Sequence, residues 1–248
     1  MSLYLGAMAI RNTLKSIYGL LVPSELAVFP EIDVDLMECK SILKGKVLNA
    51  GAGWRDVSHL VEGELINQDI TWPGDERTNI DIYSPLHHIA VESDYFDAIL
   101  CIGVLEHVEN PEEAVPELLR VLKPGGHFIL EVPFLQPEHK VPTDFQRYTK
   151  DGLVRLVSHH GFRVESIKGL FTVYHTLYWQ VFIWLHLENS LFYLLLRLLL
   201  LHPLLWAARH SKTCSDRLAT GFSTNCCEDL VMQWYVDEPS TVSHYLFA

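Results

Sequence analysis

Apolar positions in the first two thirds of the chain come in short continuous runs, each closed by glycine, proline or a charged turn. Lys46-Val-Leu-Asn-Ala-Gly-Ala-Gly53 predicts a strand that opens into a tight glycine loop, and Glu64-Leu-Ile-Asn-Gln-Asp69 a second strand ending on a carboxylate. Ala98-Ile-Leu-Cys-Ile102 is apolar at every position, as strands buried on both faces of a parallel sheet are. Helical spacing takes over at Pro111–Leu122, where Pro111 suits a first turn and Ala114, Leu118, Leu119 and Leu122 share one face. Lys123-Pro-Gly-Gly126 is read as its stop. His127–Val132 predicts the next strand. Thr149–His160 predicts a helix with Leu153, Leu156 and Val157 inside and Gly161 as its end, and Phe162–Ile167 an alternating strand. Two weaker helices precede all of these. One spans residues 2–21, packed on its own domain or lying on a membrane surface; the other spans Asp35–Leu43 and ends at Gly45. Strands alternating with helices predict an α/β architecture built on a parallel sheet with right-handed crossovers.

The pattern changes after Lys168. Gly169–Leu187 contains no Asp, Glu, Lys or Arg, and Leu191–Ala208 contains only Arg197. Each approaches the length of a membrane span. His175, Gln180 and His186 in the first oppose that reading. So does Arg197 near the middle of the second, because arginine at a bilayer centre costs at least about 2.5 kcal/mol. Trp179, Trp184 and Trp206 suit an interface. Three readings stay open: a helical lid or hairpin packed on the sheet domain or on a twin subunit, a hairpin dipping into a membrane surface, and two spans. A last strand is expected near Gly221–Cys227, with Cys226 and Cys227 on opposite sides of it. The expected organisation is therefore an N-terminal helical segment (1–45), a core (46–168), a hydrophobic helical insertion (169–212), and a last strand with a tail (213–248).

Composition sharpens this division. The 248 residues carry a formal charge of −12, and residues 1–168 hold 25 acids against 15 bases. Mean hydropathy is nevertheless +0.13, because the insertion is so apolar. An acidic chain of this kind is not expected to bind nucleic acid. The five cysteines form no CxxC pair, so neither a disulfide framework nor a zinc site is expected, and a reducing, cytoplasmic compartment fits better. The first residues lack a basic region, so no signal peptide is expected.

Gly51 and Gly53 let the backbone turn sharply and approach a ligand. The frame Gly51-Ala-Gly53-Trp-Arg-Asp56 has Asp56 where a dinucleotide loop needs its third glycine, which argues against a nicotinamide-dependent oxidoreductase. Asp69 follows Asn49 by 20 residues. At the end of an adjacent parallel strand it can accept hydrogen bonds from both hydroxyls of a ribose, or it is simply a turn residue before Trp72-Pro-Gly.

These residues resemble a class I S-adenosylmethionine (SAM)-dependent methyltransferase of the type-11-like branch. The resemblance is carried by Val47–Gly53, Tyr95–Val108, Leu119–Gly126 and Val132–His139, and covers about Lys46 to Lys168. It implies a Rossmann-like seven-stranded sheet with helices on both faces, and SAM lying across the carboxyl ends of the strands with S-adenosyl-L-homocysteine (SAH) as product. Carried over, Gly51 and Gly53 pass under the methionine part, Asp69 binds the ribose, Cys101 and Ile102 offer backbone groups, and Glu106 and His107 line the pocket. For His107 the alternative is a helix-start residue that merely packs. The family is usually acidic at the position of Asn49, and often has an acid near Tyr83-Ser-Pro-Leu86, where Ser84 or a backbone carbonyl is the candidate substitute. These departures keep open a catalytically degenerate SAM-fold binding or scaffold protein.

The stretch Pro133–Thr149 falls where an acceptor should enter. His139 is the candidate general base, Asp144 its orienting partner, and Arg147 with Tyr148 the candidate contacts to the acceptor. The alternative is structural: Thr149 as a helix cap and Asp144–Arg147 as a local ion pair. The expected activity is methyl transfer, at oxygen, to a small or lipid- or glycan-linked acceptor. Peripheral membrane contact through 169–210 and a homodimer are further expectations.

Overall fold

The computed structural model describes residues 21–25, 27–29, 36–71, 74–140, 142–187, 190–211 and 221–228. The helix expected over 2–21 lies outside them except for Leu21, as do Cys214, the side chains of Cys226 and Cys227, and the tail from residue 229. Seven strands build one sheet: β1 (Lys44–Ala50), β2 (Glu62–Asp69), β3 (Ile82–Tyr83), β4 (Phe96–Ile102), β5 (Leu122–Pro133), β6 (Phe162–Leu170) and β7 (Gly221–Glu228). Their order is β3-β2-β1-β4-β5-β7-β6. The first five run parallel, and β7 is threaded antiparallel between β5 and β6.

The continuous apolar runs become two cores because successive strand residues face opposite sides. Leu48, Ala50, Ile99, Cys101, Phe128 and Leu130 point to one face, where helices α1 (Pro111–Val121) and α2 (Lys150–His159) cover them with Ala114, Leu118, Leu153 and Val157. Val47, Ala98, Leu100, Ile102 and Ile129 point to the other, against Leu36, Leu43, Val57 and Leu60. Among the described residues, that second face is covered by loop and 3-10 turns rather than by a full helix.

Two glycine signals mean something other than expected. Among the described residues of the segment expected to be helical, Leu36 is helical and Met37–Cys39 form a 3-10 turn, and Gly45 is the second residue of β1. It has φ +74°, and a Cβ there would strike the Asp97 carboxylate at 2.4 Å. Lys123-Pro-Gly-Gly126 lies inside β5. Pairing jumps from Phe96–Leu122 to Ala98–His127, so these residues bulge out of the ladder. Asp97 sits opposite the bulge and accepts hydrogen bonds from the Lys46 amide (2.8 Å) and Lys123 Nζ (2.7 Å).

The insertion is a helical hairpin of α3 (Val173–His186) and α4 (Leu191–His210), joined to the sheet between β6 and β7. A Thr172–His175 capping box starts α3, and the Ser190 hydroxyl caps α4. Tyr178, Leu185, Leu201, Leu205 and Ala208 pack with Val22 and Val28. Tyr178 Oη donates to the Ser24 carbonyl and Trp179 Nε1 to the Glu25 carboxylate, both at 2.6 Å. Arg197 is buried in this hairpin. Its Nε and Nη2 donate to the Leu185 carbonyl, at 3.0 and 2.7 Å, which supplies a last-turn carbonyl of α3 with the donors its own helix lacks. The outward side of α4 carries Phe192, Leu195, Leu199 and Trp206, all exposed. Phe192–His210 is long and apolar enough to cross a membrane by length and composition. The 14 residues of α3 reach only about 21 Å, short of a bilayer's hydrocarbon thickness, so a pair of spans does not fit.

Arg197→Met is expected to destabilise the protein by about 1–3 kcal/mol, because the Leu185 carbonyl loses both donors. Urea unfolding followed by tryptophan fluorescence measures it, and an unchanged midpoint would show that the clamp contributes nothing.

Candidate active site

The carboxyl ends of β1, β2, β4 and β5 open onto a cavity of about 1280 Å³. Single small-molecule pockets typically fill about 300–1,000 Å³, so there is room here for two ligands side by side. Seven of the residues singled out in the sequence line it: Gly51, Gly53, Asp69, Ile102, Glu106, His107 and His139.

One end is the glycine loop. Gly51 has φ +68°, and a Cβ there would lie 2.5 Å from both γ-carbons of Val104. Gly53 has φ +58°, and a Cβ there would meet nothing within 4 Å, so its backbone faces open space. The loop is tied to β2: Gly51 N donates to Gln68 Oε1 (3.2 Å) and Gly53 N to Asp69 Oδ2 (2.9 Å). Asp69 also accepts from the Ile70 amide (2.7 Å) and from Arg77. A carboxylate offers about four acceptor sites, so these three bonds leave Asp69 about one for a ligand. Arg77 was not legible in the sequence, since a charged residue in the turn Asp75-Glu76-Arg77 belongs to no motif.

Several predicted residues do not line the cavity. Asn49 is buried between strands, donating to Asn67 Oδ1 at 3.0 Å. Ser84 is buried, and it is its carbonyl that accepts from Gln68. The Cys101 side chain lies in the core under α1, where burial pushes its thiol well up. Tyr148 is buried, donating to the Leu105 carbonyl at 3.3 Å, and burial likewise raises its phenol. Arg147 does not line the cavity. It spends its guanidinium on both oxygens of Asp144 and on the carbonyls of Gln136 (3.2 Å), Pro137 (2.7 Å) and Gln146 (2.8 Å). That pairing holds the Asp144 carboxyl down at about 2. The alternative reading of this stretch is the one seen, with Thr149 capping α2 through Gly152 N at 3.2 Å. Asp144 does meet His139: its Oδ2 accepts from the His139 amide at 2.7 Å and lies 3.7 Å from the ring Nδ1.

The other end of the cavity gathers Glu106, His107 and His139. Glu106 sits in a 3-10 turn, Leu105–His107, immediately beyond β4, with its side chain only 2% exposed. Its Oε1 lies 3.7 Å from His107 Nε2 and 3.7 Å from His139 Nε2. Among the described residues its Oε2 has no hydrogen-bond partner. The neighbouring carboxylate raises the His139 pKa above the ordinary histidine value. Phe171 and Trp179 form the adjoining wall, so the hairpin contributes to the cavity, with the Trp179 ring 5.5 Å from that of His139. Phe171 holds φ +61°, a conformation that non-glycine residues adopt at a cost.

Comparison with known proteins bears on the fold and the family. Residues 73–130 match the model of a family described as a methyltransferase domain. That match covers less than half of the chain, and over it the chain is similar to methyltransferase domains. Two relatives of this domain are a ubiquinone biosynthesis O-methyltransferase from Alkalilimnicola ehrlichii and a demethylmenaquinone methyltransferase from Clavibacter sepedonicus. The first is 29% identical over 37% of this chain and 43% of the relative. The second is 32% identical over 38% and 39%. The chain thus spans about two fifths of the length of these curated relatives. Among solved structures, the [4+2]-cyclase SpnF is 15% identical, with 78% of each chain covered and a TM-score of 0.52. A structure assigned as a sarcosine dimethylglycine methyltransferase from Galdieria sulphuraria is 15% identical, with 78% of this chain and 83% of the other covered and a TM-score of 0.51. At that identity the structures establish the methyltransferase fold alone.

Arg147→Ala would leave the Asp144 carboxylate, whose side chain is 2% exposed, without its charge partner. A loss of about 3 kcal/mol is expected on thermal or urea unfolding. A variant as stable as the parent would overturn the structural role given to Arg147.

Proposed function

We propose that the chain is a SAM-dependent methyltransferase acting on a small-molecule acceptor, at oxygen. The observation that carries this reading is one cavity with two unlike ends, an open glycine cradle over Asp69 and a buried carboxylate–histidine group. The cavity fits SAM on three counts. A Cβ at Gly53 would project into open space that a ligand can fill. Asp69, at the end of β2, lines the wall beside that cradle. Glu106 and Glu131, both buried, supply the negative charge that a sulfonium needs and that Asn49 does not. Gly51, Gly53, Asp69 and the Ile102 backbone would hold the cofactor, which supplies a methyl group on a positively charged sulfur.

The chain's own residues then have distinct tasks. His139 Nε2 is placed to take the proton of an acceptor hydroxyl, and Glu106 stabilises the imidazolium so formed. Phe171 and Trp179 give the acceptor end an apolar wall that excludes water. Relatives named for ubiquinone biosynthesis and demethylmenaquinone support a small-molecule acceptor. The apolar wall supports one with a hydrophobic or lipid-linked part.

Calorimetry with SAH is expected to show one equivalent bound. No binding at millimolar ligand would defeat the enzyme reading, and SAH binding without turnover on any hydroxylated quinol would favour a degenerate scaffold. With an active quinol in hand, His139→Ala is expected to lower turnover by about 10²–10⁴-fold while leaving SAH affinity unchanged.

The exposed stripe Phe192, Leu195, Leu199 and Trp206 supports a second element of this proposal, a cytoplasmic protein that touches a membrane peripherally through α4. The full chain is expected to float with liposomes, and a variant with all four residues changed to serine to remain at the bottom of the gradient. Equal behaviour of the two would remove the membrane contact, and concentration-dependent dimers lost in the serine variant would give the stripe to a second subunit.

A further inference from the structure

We infer that Glu106, His107 and His139 form a binding site for a divalent first-row cation such as Zn²⁺, Co²⁺ or Mn²⁺. The ligating atoms available on these three side chains all lie within 4.8 Å of one another. A zinc-type ion bound at about 2.0–2.2 Å places neighbouring ligand atoms about 3.4 Å apart in a tetrahedron. The two Oε1–Nε2 separations here are 3.7 Å, so adjustments of a few tenths of an ångström bring both pairs onto one ion. The same separations are too long for hydrogen bonds, so the carboxylate and the two rings converge without bonding to one another.

The outer partners are those a metal site needs. A histidine that ligates through Nε2 usually donates its Nδ1–H to a backbone carbonyl, which fixes the tautomer and aims the lone pair. His107 Nδ1 meets the Thr143 carbonyl. His139 Nδ1 meets the Pro137 carbonyl at 3.2 Å, nearer than Arg147 Nη2 at 3.4 Å. Both rings therefore present Nε2 to the same carboxylate. Glu106 is a second, independent sign. Its side chain is 98% buried in charge-bearing surroundings, yet among the described residues Oε2 has no hydrogen-bond partner, and a buried carboxylate oxygen is costly unless a cation or donor meets it. Two imidazoles and one carboxylate suit zinc, cobalt, manganese or ferrous iron rather than calcium or magnesium. Three protein ligands leave a further coordination position, and all three residues line the cavity, so that position opens where an acceptor would lie. An acceptor hydroxyl bound there loses its proton to solvent more readily, because the ion stabilises the alkoxide or phenolate. In the metal-loaded protein this replaces proton transfer to His139, whose Nε2 is then a ligand.

The test uses untagged full-length protein, stripped with EDTA and titrated with Co²⁺ in the absence of cofactor and acceptor. One equivalent is expected, with visible d–d absorption and displacement by Zn²⁺. His139→Ala and His107→Ala are each expected to weaken uptake by at least about 100-fold, since even loss of an outer partner costs a metal site 10–100-fold. His160→Ala, in a separate ion pair with Glu112, is expected to change nothing. No stoichiometric uptake, or uptake equal in all three variants, overturns the inference. SAH calorimetry on the same samples reports folding and keeps the two proposals apart. SAH binding without Co²⁺ binding defeats the metal site alone, and Co²⁺ binding without SAH binding defeats the methyltransferase reading alone.

Discussion

A carboxylate removed from water must be met by positive charge or by hydrogen-bond donors, and the architecture around Glu106 follows from that requirement. The side chain enters the interior because β4 ends at Ile102 and the chain turns at once through Leu105–His107. The segment carrying His139 is then laced onto this turn. The Phe145 amide donates to the Glu106 carbonyl at 2.8 Å, and Gln146 Nε2 reaches the carbonyls of Leu105 (3.3 Å) and Val108 (2.9 Å). Tyr148 anchors the same turn through its hydroxyl. Arg147 and Asp144 hold the segment's own curve, so the imidazole of His139 arrives beside the carboxylate without being part of the same element. Residues that touch no ligand thus determine where the reactive ones stand.

The hairpin extends the same logic to the acceptor side. It leaves the sheet at Leu170, at the end where the cavity opens, and Phe171, just before α3, and Trp179, in its second turn, stand on the wall. Its far side is tied to the 22–28 segment by Tyr178, Trp179 and the apolar cluster around Leu201. Arg197, the residue that looks most out of place in an apolar helix, is satisfied internally by the Leu185 carbonyl.

Much of this was legible in the sequence, for reasons that also mark the limit. The strands of the core and the paired helices of the insertion were legible because apolar periodicity directly reports how many faces an element buries. Gly45 and Lys123-Pro-Gly-Gly126 were misread because a helix stop, a strand start and a bulge all recruit glycine for the same backbone freedom. Gly51, Gly53 and Asp69 line the cavity because strand ends lie at one edge of the sheet, whereas the placement of Glu106 and His107 beside them is implied only by the family resemblance and that of His139 by the stretch after β5. Strand alternation sends Cys101 and Ile102 to opposite faces of the sheet, and of the two only Ile102, at the very end of β4, also reaches the cavity. Arg147 and Tyr148 were taken for acceptor contacts because charge and a hydroxyl look the same whether they bind a ligand or a loop. The convergence of His107 and His139 was hidden because 32 residues separate them, and only the folded turn brings them together.

The placement of β7 has a consequence for how the molecule is made. β5 and β6 are paired to each other only through β7, a strand that follows both of them and the whole hairpin in the chain. During synthesis, β5, β6 and an uncompleted sheet must therefore wait with open edges, a state prone to non-native pairing. The hairpin lies in the interval between them. By the time β7 emerges, α3 and α4 can already have packed beside the gap, so the last strand closes a sheet whose acceptor wall is in place.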